Sequence, residues 1–437
     1  MKLKALFPLI FVFAPLCLFA QHKNSETARH FTDLLEKGNY TEASKLLQAN
    51  PPTDSAFWAN AWSKFIKNYG HITEERSLES DIFGKYDMVY RIVDTEKKTI
   101  KLNYSFENGN LTGFRYQVYD TANAHHAIYA NPLFKEKKLR FQSGNFSMSA
   151  ALLEPAVNKD SIIVIFVHGS GSTDRDESVG GSKVFLDLAQ GLASYGIASF
   201  RFDKRSYVYP EAFSNRSFTV YDETVQDAVS AVDYCHHVLG YAYSNIFVLG
   251  HSLGGMLAPR IANSIATPVG GIIIFSGNAR ALQTLIGEQT EYLMKRNGKL
   301  TKEDKKRLVM MNELNNNVSK LQTGDAAKNT LALPSGLPAS YWYDLKNYDQ
   351  CKTAASLDIP ILVMQGGRDY QVTTEDFLLW KKALKGKANA SFMLFNKLNH
   401  LYVAGESKSY PEEYEKPGNV DKSAIEAISD WLKLQEK

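Results

Sequence analysis

The chain has 437 residues, 44% of them hydrophobic, enough to fill more than one packed core. Its 50 basic and 47 acidic residues leave a formal charge of +3, which gives no reason to expect nucleic acid as a partner.

The first residues read as an export signal. Lys2 and Lys4 give a positive start, Ala5 to Leu18 is almost wholly apolar, and Leu18-Phe19-Ala20 before Gln21 offers a cleavage site. The stretch is too short for a spanning helix. Residues 1–20 are therefore expected to be a signal peptide, leaving a periplasmic or secreted chain. Cys17 raises a lipid anchor, but Leu16 before it is large where lipoprotein cleavage wants a small residue, so simple cleavage is favoured. Nothing later in the chain resembles a membrane span, Gly270 to Ser276 having only strand length, so no stable span is expected.

Residues 24–120 read as a small α+β domain. Ala28, Phe31, Leu34 and Leu35 recur at helical spacing, a second helix covers Thr41 to Gln48, and a third runs from Phe57 to Tyr69. Period-two runs follow at Asp87–Val93, Thr99–Phe106 and Leu111–Val118, with Asn108-Gly109 as a hairpin turn. The helix-helix-sheet order and the Phe106-Glu107-Asn108-Gly109-Asn110-Leu111-Thr112-Gly113 hairpin resemble a domain of unknown function found before secreted bacterial hydrolases. Its cone-shaped sheet is like that of nuclear-transport-factor-like proteins. The resemblance implies that such a cone can hold a ligand; plain core is the favoured role for Phe57, Trp58, Trp62 and Phe65.

Residues 121–136 read as a linker, and 137–437 as one catalytic domain. A hairpin, Leu139–Phe141 and Phe146–Leu153, leads into strict alternation. Strand Ser161–Val167 precedes helix Lys183–Tyr195, and strand Ile197–Phe202 precedes helix Tyr221–Leu239. Strands Asn245–Leu249, Gly271–Ser276, Pro360–Gln365 and Ser391–Phe395 follow. Such alternation means an α/β fold with a mostly parallel sheet covered on both faces, and active sites in such sheets lie at the carboxyl ends of the strands.

The chemistry-bearing residues fall at those ends. Gly250-His251-Ser252-Leu253-Gly254-Gly255 places a serine on a strand-turn-helix with glycines on both flanks. A serine hydroxyl needs a base, and the base an orienting acid. Asp369 follows one later strand and His400 the last one, giving the order Ser252, Asp369, His400. Asp203, also after a strand, is the rival acid, less favoured because it precedes the serine. An oxyanion would be met by the N–H of Leu253 and by that of Ser170, or of Gly171, in His168-Gly169-Ser170-Gly171. His168 and His251 are expected to be scaffold residues. Asp174, Arg175 and Asp176, with Asp203, Lys204 and Arg205, are expected to form exposed structural ion pairs.

From about Lys137 onward the chain resembles bacterial α/β-hydrolases of the secreted esterase type. The matching runs are His168-Gly169-Ser170-Gly171 with Asp174-Arg175-Asp176, Arg201-Phe202-Asp203-Lys204-Arg205, the serine turn, Gly366 to Val372, and Asn399-His400-Leu401. The resemblance implies a serine hydrolase acting on carboxylic esters, with a triad of Ser252, Asp369 and His400. It departs at Ser206-Tyr207-Val208-Tyr209-Pro210, where relatives often continue with Gly-x-Gly-x-Ser, so substrate preference transfers less readily than mechanism.

The roughly 80 residues between Ala279 and Ile359 exceed the ~2–6 residues usual for such connections and are expected to form a lid, helical from Leu285 to Leu321. In it, Tyr341, Trp342 and Tyr343 either line the substrate pocket or pack the lid onto the body. No cofactor is needed and no metal-ligand spacing is present; Cys235 and His236, neighbours on a helix, do not converge. Cys235 and Cys351 remain after cleavage and could pair, though Cys235 on an apolar helical stripe reads as a buried free thiol. The expected partner is a small-molecule ester. A small peptidase on the same fold, or a non-catalytic binding protein, are the alternatives.

Overall fold

The computed structural model describes residues 14–49, 51–119, 125–155, 162–214, 217–296, 298–323 and 331–435, with side chains from His22 onward. Most of the expected signal segment lies outside the described residues, as does the start of the expected linker. Two compact units divide at residue 122.

The N-terminal unit holds helices α1 (Ala14–Glu36), α2 (Tyr40–Leu46) and α3 (Ser55–Tyr69), then strands β1 (Ile72–Phe83), β2 (Tyr86–Thr95), β3 (Thr99–Glu107) and β4 (Asn110–Val118). The strands form an antiparallel sheet in chain order. Asp54 starts α3 by accepting the Phe57 N–H at 2.7 Å. Trp58, Trp62 and Phe65 from α3 pack with Phe31 against Val93, Ile100, Leu102 and Phe106, so these aromatics are core. Phe57 is the exception at 52% exposure. Asn108 and Gly109 both take positive φ, 52° and 76°, as the Asn-Gly hairpin requires. The sequence reading omits β1. Register shifts between Ile72 and Glu74 and between Glu75 and Ser77 break its alternation, and a charged, half-exposed edge strand has little periodic signal to lose.

The second unit is built on eight strands: β5 (Lys135–Ser143), β6 (Phe146–Glu154), β7 (Ile163–Val167), β8 (Ala198–Phe202), β9 (Ile246–His251), β10 (Gly271–Phe275), β11 (Ile361–Gly366) and β12 (Ala390–Phe395). Their order is β12-β11-β10-β9-β7-β8-β6-β5, parallel from β12 to β8 and antiparallel from β8 through β6 to β5. Central β7 shows why it is central: all five residues are buried. Ile163, Ile165 and Val167 face one core with Leu257 and Trp380, while Val164 and Phe166 face the other with Phe185 and Trp431.

The flanking helices are α4 (Val184–Ala193), α5 (Gln226–His237), α6 (Leu253–Asn263), α7 (Leu282–Lys295), α8 (Lys302–Lys320), α9 (Ala339–Lys346), α10 (Gln350–Ser356), α11 (Thr374–Ala383) and α12 (Lys422–Lys433). The insertion before β11 contributes α7 to α10. Its middle is two helices rather than the one long helical stretch expected, because Gly298 at φ 101° and a capping box of Thr301 with Asp304 end one and start the next. Cys235 is a buried free thiol and Cys351 is also free.

Because β7 carries both cores, Ile165→Ala should cost about 3 kcal/mol of stability, from lost transfer energy plus an unfilled cavity. Urea unfolding should show a lower midpoint at unchanged slope; a midpoint equal to that of the parent chain would contradict the packing described.

Candidate active site

Ser252 sits between β9 and α6 at φ 53° and ψ −116°, a conformation that costs a non-glycine residue on the order of 1–3 kcal/mol. The turn is locked from both sides. Ser252 N–H donates to Phe275 O at 3.0 Å, and Met256 N–H donates to Ser252 O at 3.0 Å. The glycines are required by close approach. A Cβ on Gly250 would lie 2.0 Å from Gly254 O, and one on Gly254 would lie 2.2 Å from Val167 O. Only bare backbone lets α6 start this close to the end of β7.

His400 follows β12 and Asp369 follows β11, so their loops meet. Asp369 Oδ2 accepts from His400 Nδ1 at 2.6 Å and from Gln365 Nε2 at 3.1 Å. Its Oδ1 accepts the N–H groups of Gln371 at 2.7 Å and Val372 at 3.0 Å. All its acceptor capacity is directed, so the carboxylate cannot swing away from the imidazole. Gly366 and Gly367 let the two loops nest, since a Cβ on either would strike backbone of residues 396–399. His400 and Ser252 face the same cavity. The rival acid, Asp203, is committed elsewhere: it takes Arg175 Nη2 at 2.6 Å, Arg175 Nε at 3.1 Å and the Arg175 N–H at 2.8 Å.

The loop after β7 crosses above Ser252. Gly169, Ser170 and Gly171 all line the cavity, and Gly171 takes φ 92°, a glycine conformation. The Ser170 N–H donates to no protein group among the described residues. The Leu253 N–H, first in α6, has no intrahelical acceptor and sits at the positive end of the helix. These are the two donors expected from the sequence, and both are uncommitted.

What holds this loop is buried charge. Glu177 Oε1 accepts the Gly169 N–H at 2.8 Å, and its Oε2 meets His251 Nδ1 at 2.9 Å. His251 Nε2 in turn meets the carbonyl of His400 at 2.9 Å. One carboxylate–imidazole pair thus ties together the loop after β7, the serine turn and the loop bearing His400. Burial opposes charge on His251, but the Glu177 carboxylate outweighs it and holds the imidazole above its ordinary range. Burial also opposes charge on Glu177, and His251 holds that carboxyl below its ordinary range. His168, the other expected scaffold histidine, meets Asp174 O through Nε2 at 2.9 Å, and burial pushes its pKa down.

The cavity has a volume of about 1140 Å³. Its lid side comes from the insertion, through Leu282, Leu285, Ile286, Leu337 and Tyr341. Of the three aromatic residues considered from the sequence, only Tyr341 lines it. Trp342 is buried in the core, donating to Pro334 O at 3.2 Å, and Tyr343 meets Thr323 through its hydroxyl at 3.0 Å. The reason is helical geometry: α9 turns consecutive side chains by about 100°, so three in a row cannot share one face. The ion pairs expected to be exposed are also corrected. Arg175, Asp203, Lys204 and Arg205 are buried, as are the Arg175–Asp203 and Arg205–Asp227 pairs, while Asp174 and Asp176 are half-buried. Glu177, Lys204 and Glu223 carry roles the sequence reading missed. For Glu177 the available signal was a fourth charge, next to Asp176, directly after the glycine loop.

Strand order, helices on both faces and a nucleophile-type serine turn after β9 define an α/β-hydrolase. Residues 159–404 match the family described as serine aminopeptidase, S33, and the chain belongs to this family. Esterase EstD of Thermotoga maritima is 31% identical over 417 residues, covering 95% of this chain and 94% of that protein, so the likeness extends into the small N-terminal unit. Among solved structures, an esterase of Pyrococcus furiosus is 15% identical with a TM-score of 0.43, covering 73% of this chain and 100% of its own. Est1E from Butyrivibrio proteoclasticus is 17% identical with a TM-score of 0.43, covering 68% and 98%.

The Glu177–His251 pair has a pH signature. His251 is raised above 6.5 in the fold, so its contribution is complete below pH 6.5 and is lost as pH rises through the raised value. Glu177 is held below 4.5, so its contribution is complete above pH 4.5 and is lost as pH falls through the lowered value. Glu177→Gln should therefore destabilise the fold most between these limits, by about 3 kcal/mol. Urea unfolding followed from pH 5.5 upward should show the deficit shrinking as pH rises through the raised His251 value; a deficit already absent at pH 5.5 would rule out the charged pair.

Proposed function

We propose that this chain is an exported serine hydrolase that cleaves carboxylic esters through an acyl-enzyme on Ser252. The observation that carries the reading is the His400 imidazole, fixed by Asp369 at 2.6 Å and facing the same cavity as the strained Ser252. His400 takes the serine proton as the hydroxyl attacks the ester carbonyl, and Asp369 stabilises the imidazolium that forms. The oxyanion is met by the N–H groups of Ser170 and Leu253. His400 then returns the proton to the departing alcohol, and water repeats the cycle to release the acid. The reading requires no cofactor. The esterase name of the Thermotoga maritima relative supports it.

The cavity is large for an acetyl group and apolar on its lid side, which fits a medium-length acyl chain or a bulky alcohol. The family's description favours a second reading, an aminopeptidase. Such an enzyme needs an anionic site for the substrate's amino group. Among the described residues, the two carboxylates lining this cavity face buried cations instead: Glu177 faces His251, and Glu223 faces Lys204 at 3.3 Å. That favours an uncharged ester.

Fluorophosphonate should label the parent chain and fail to label Ser252→Ala, with p-nitrophenyl butyrate and octanoate turned over faster than aminoacyl p-nitroanilides. Faster amide turnover would select the aminopeptidase reading, and folded protein with neither activity would refute both. Asp369→Asn should lower kcat by about 10⁴-fold with KM little changed, since it disturbs the base and not ground-state binding. Steady-state kinetics on p-nitrophenyl butyrate test this, and a drop confined to KM would remove Asp369 from the role.

A further inference from the structure

Lys204 is 1% exposed at the carboxyl end of β8, and its ammonium group donates to the carbonyl of Gly169 at 2.8 Å. That carbonyl belongs to the peptide whose N–H is Ser170's. In a trans peptide the C=O and the following N–H point in opposite directions. A cation that draws the carbonyl to one side therefore turns the Ser170 N–H to the other. The Gly169 N–H is separately fixed on Glu177 at 2.8 Å. Gly169 has no side chain to restrict rotation of its peptide planes, so these two contacts are what orient them.

The ammonium is not isolated. Glu223 stands 3.3 Å away and also accepts from Ser206 Oγ at 3.0 Å. Its other oxygen accepts from the Tyr341 hydroxyl at 3.3 Å. Tyr341 lies on α9, within the insertion, and lines the cavity. A continuous polar chain therefore runs from the lid to the loop after β7: Tyr341, Glu223, Lys204, Gly169 carbonyl, Ser170 N–H.

We propose that Lys204, balanced by Glu223, is a positioning residue for the oxyanion site, setting the direction of the Ser170 N–H through the Gly169 peptide. This role rests on the ester-hydrolase reading of the same site. Lys204 touches no reacting atom. Its loss should weaken binding of the oxyanion and leave ground-state ester binding alone.

The test compares Lys204→Met with the charge-balanced double variant Lys204→Met/Glu223→Gln, because the single change leaves a buried carboxylate unpaired. Each is assayed for kcat and KM on p-nitrophenyl butyrate and for inhibition by an aryl trifluoromethyl ketone, whose serine adduct carries the oxyanion. Circular dichroism and thermal unfolding establish folding. The folded double variant is expected to lose about 100-fold in kcat, with KM within about threefold, and to bind the ketone about 100-fold more weakly. Parental kcat and ketone affinity in the folded double variant would overturn the role. So would a loss carried by KM alone, or a double variant that does not fold, which would make the pair structural. If the parent chain neither turns over esters nor forms the ketone adduct, the hydrolase reading itself fails and this role with it.

Discussion

The Glu177–His251 pair is the interaction on which the arrangement of the site depends. Three loops must meet at one cavity, and each comes from a different strand: β7, β9 and β12. The sheet brings their starting points within reach but does not set their conformations. Glu177 and His251 do, by engaging the Gly169 N–H, the serine turn and the His400 carbonyl in one buried series. Buried, such a pair is far less screened than a surface ion pair. It is also demanding, because neither partner tolerates loss of the other. Glu177 itself takes φ 49°, so backbone strain is accepted to bring its carboxylate to this point.

The glycines complete what the charges begin. At Gly250 and Gly254 the backbone of the serine turn packs against itself and against the end of β7 at distances no Cβ permits. At Gly366 and Gly367 the loop of Asp369 lies directly on the loop of His400. Side-chain charge orients these loops and missing side chains let them touch, so the site is dense backbone crossed by a few fully engaged polar groups. Asp369, with four donors on two oxygens, is the clearest case.

Much of this was legible in the sequence because the signals were local. Strands β7 to β12 are apolar runs, and Ser252, Asp369 and His400 each stand at the end of one. What was illegible was non-local or aperiodic. Strand β1 is interrupted by two register shifts, so its pattern does not alternate. Tyr341, Trp342 and Tyr343 are adjacent in sequence but diverge once α9 is helical. The charged residues near Arg175 and Arg205 looked like surface pairs because a charge run usually is one. Their burial follows from the sheet order, which places β8 between β7 and β6 and covers both of its faces. No spacing rule in the chain reports that Lys204 would end beneath Gly169.

Burial of those charges also shapes what the cavity can accept. Two carboxylates border the space near Ser252, and in isolation they would attract a cationic substrate and repel a developing oxyanion. Each faces a buried cation, His251 for Glu177 and Lys204 for Glu223, so its field is largely cancelled where a substrate would lie. Near that space lie two backbone donors that no other described group engages, the N–H groups of Ser170 and Leu253. With an apolar lid side of Leu282, Leu285, Ile286 and Leu337, the balance favours a neutral substrate that becomes anionic only during reaction. The buried pairs therefore do two jobs at once: they fix the loops, and they remove the negative potential that would oppose the chemistry those loops are built for.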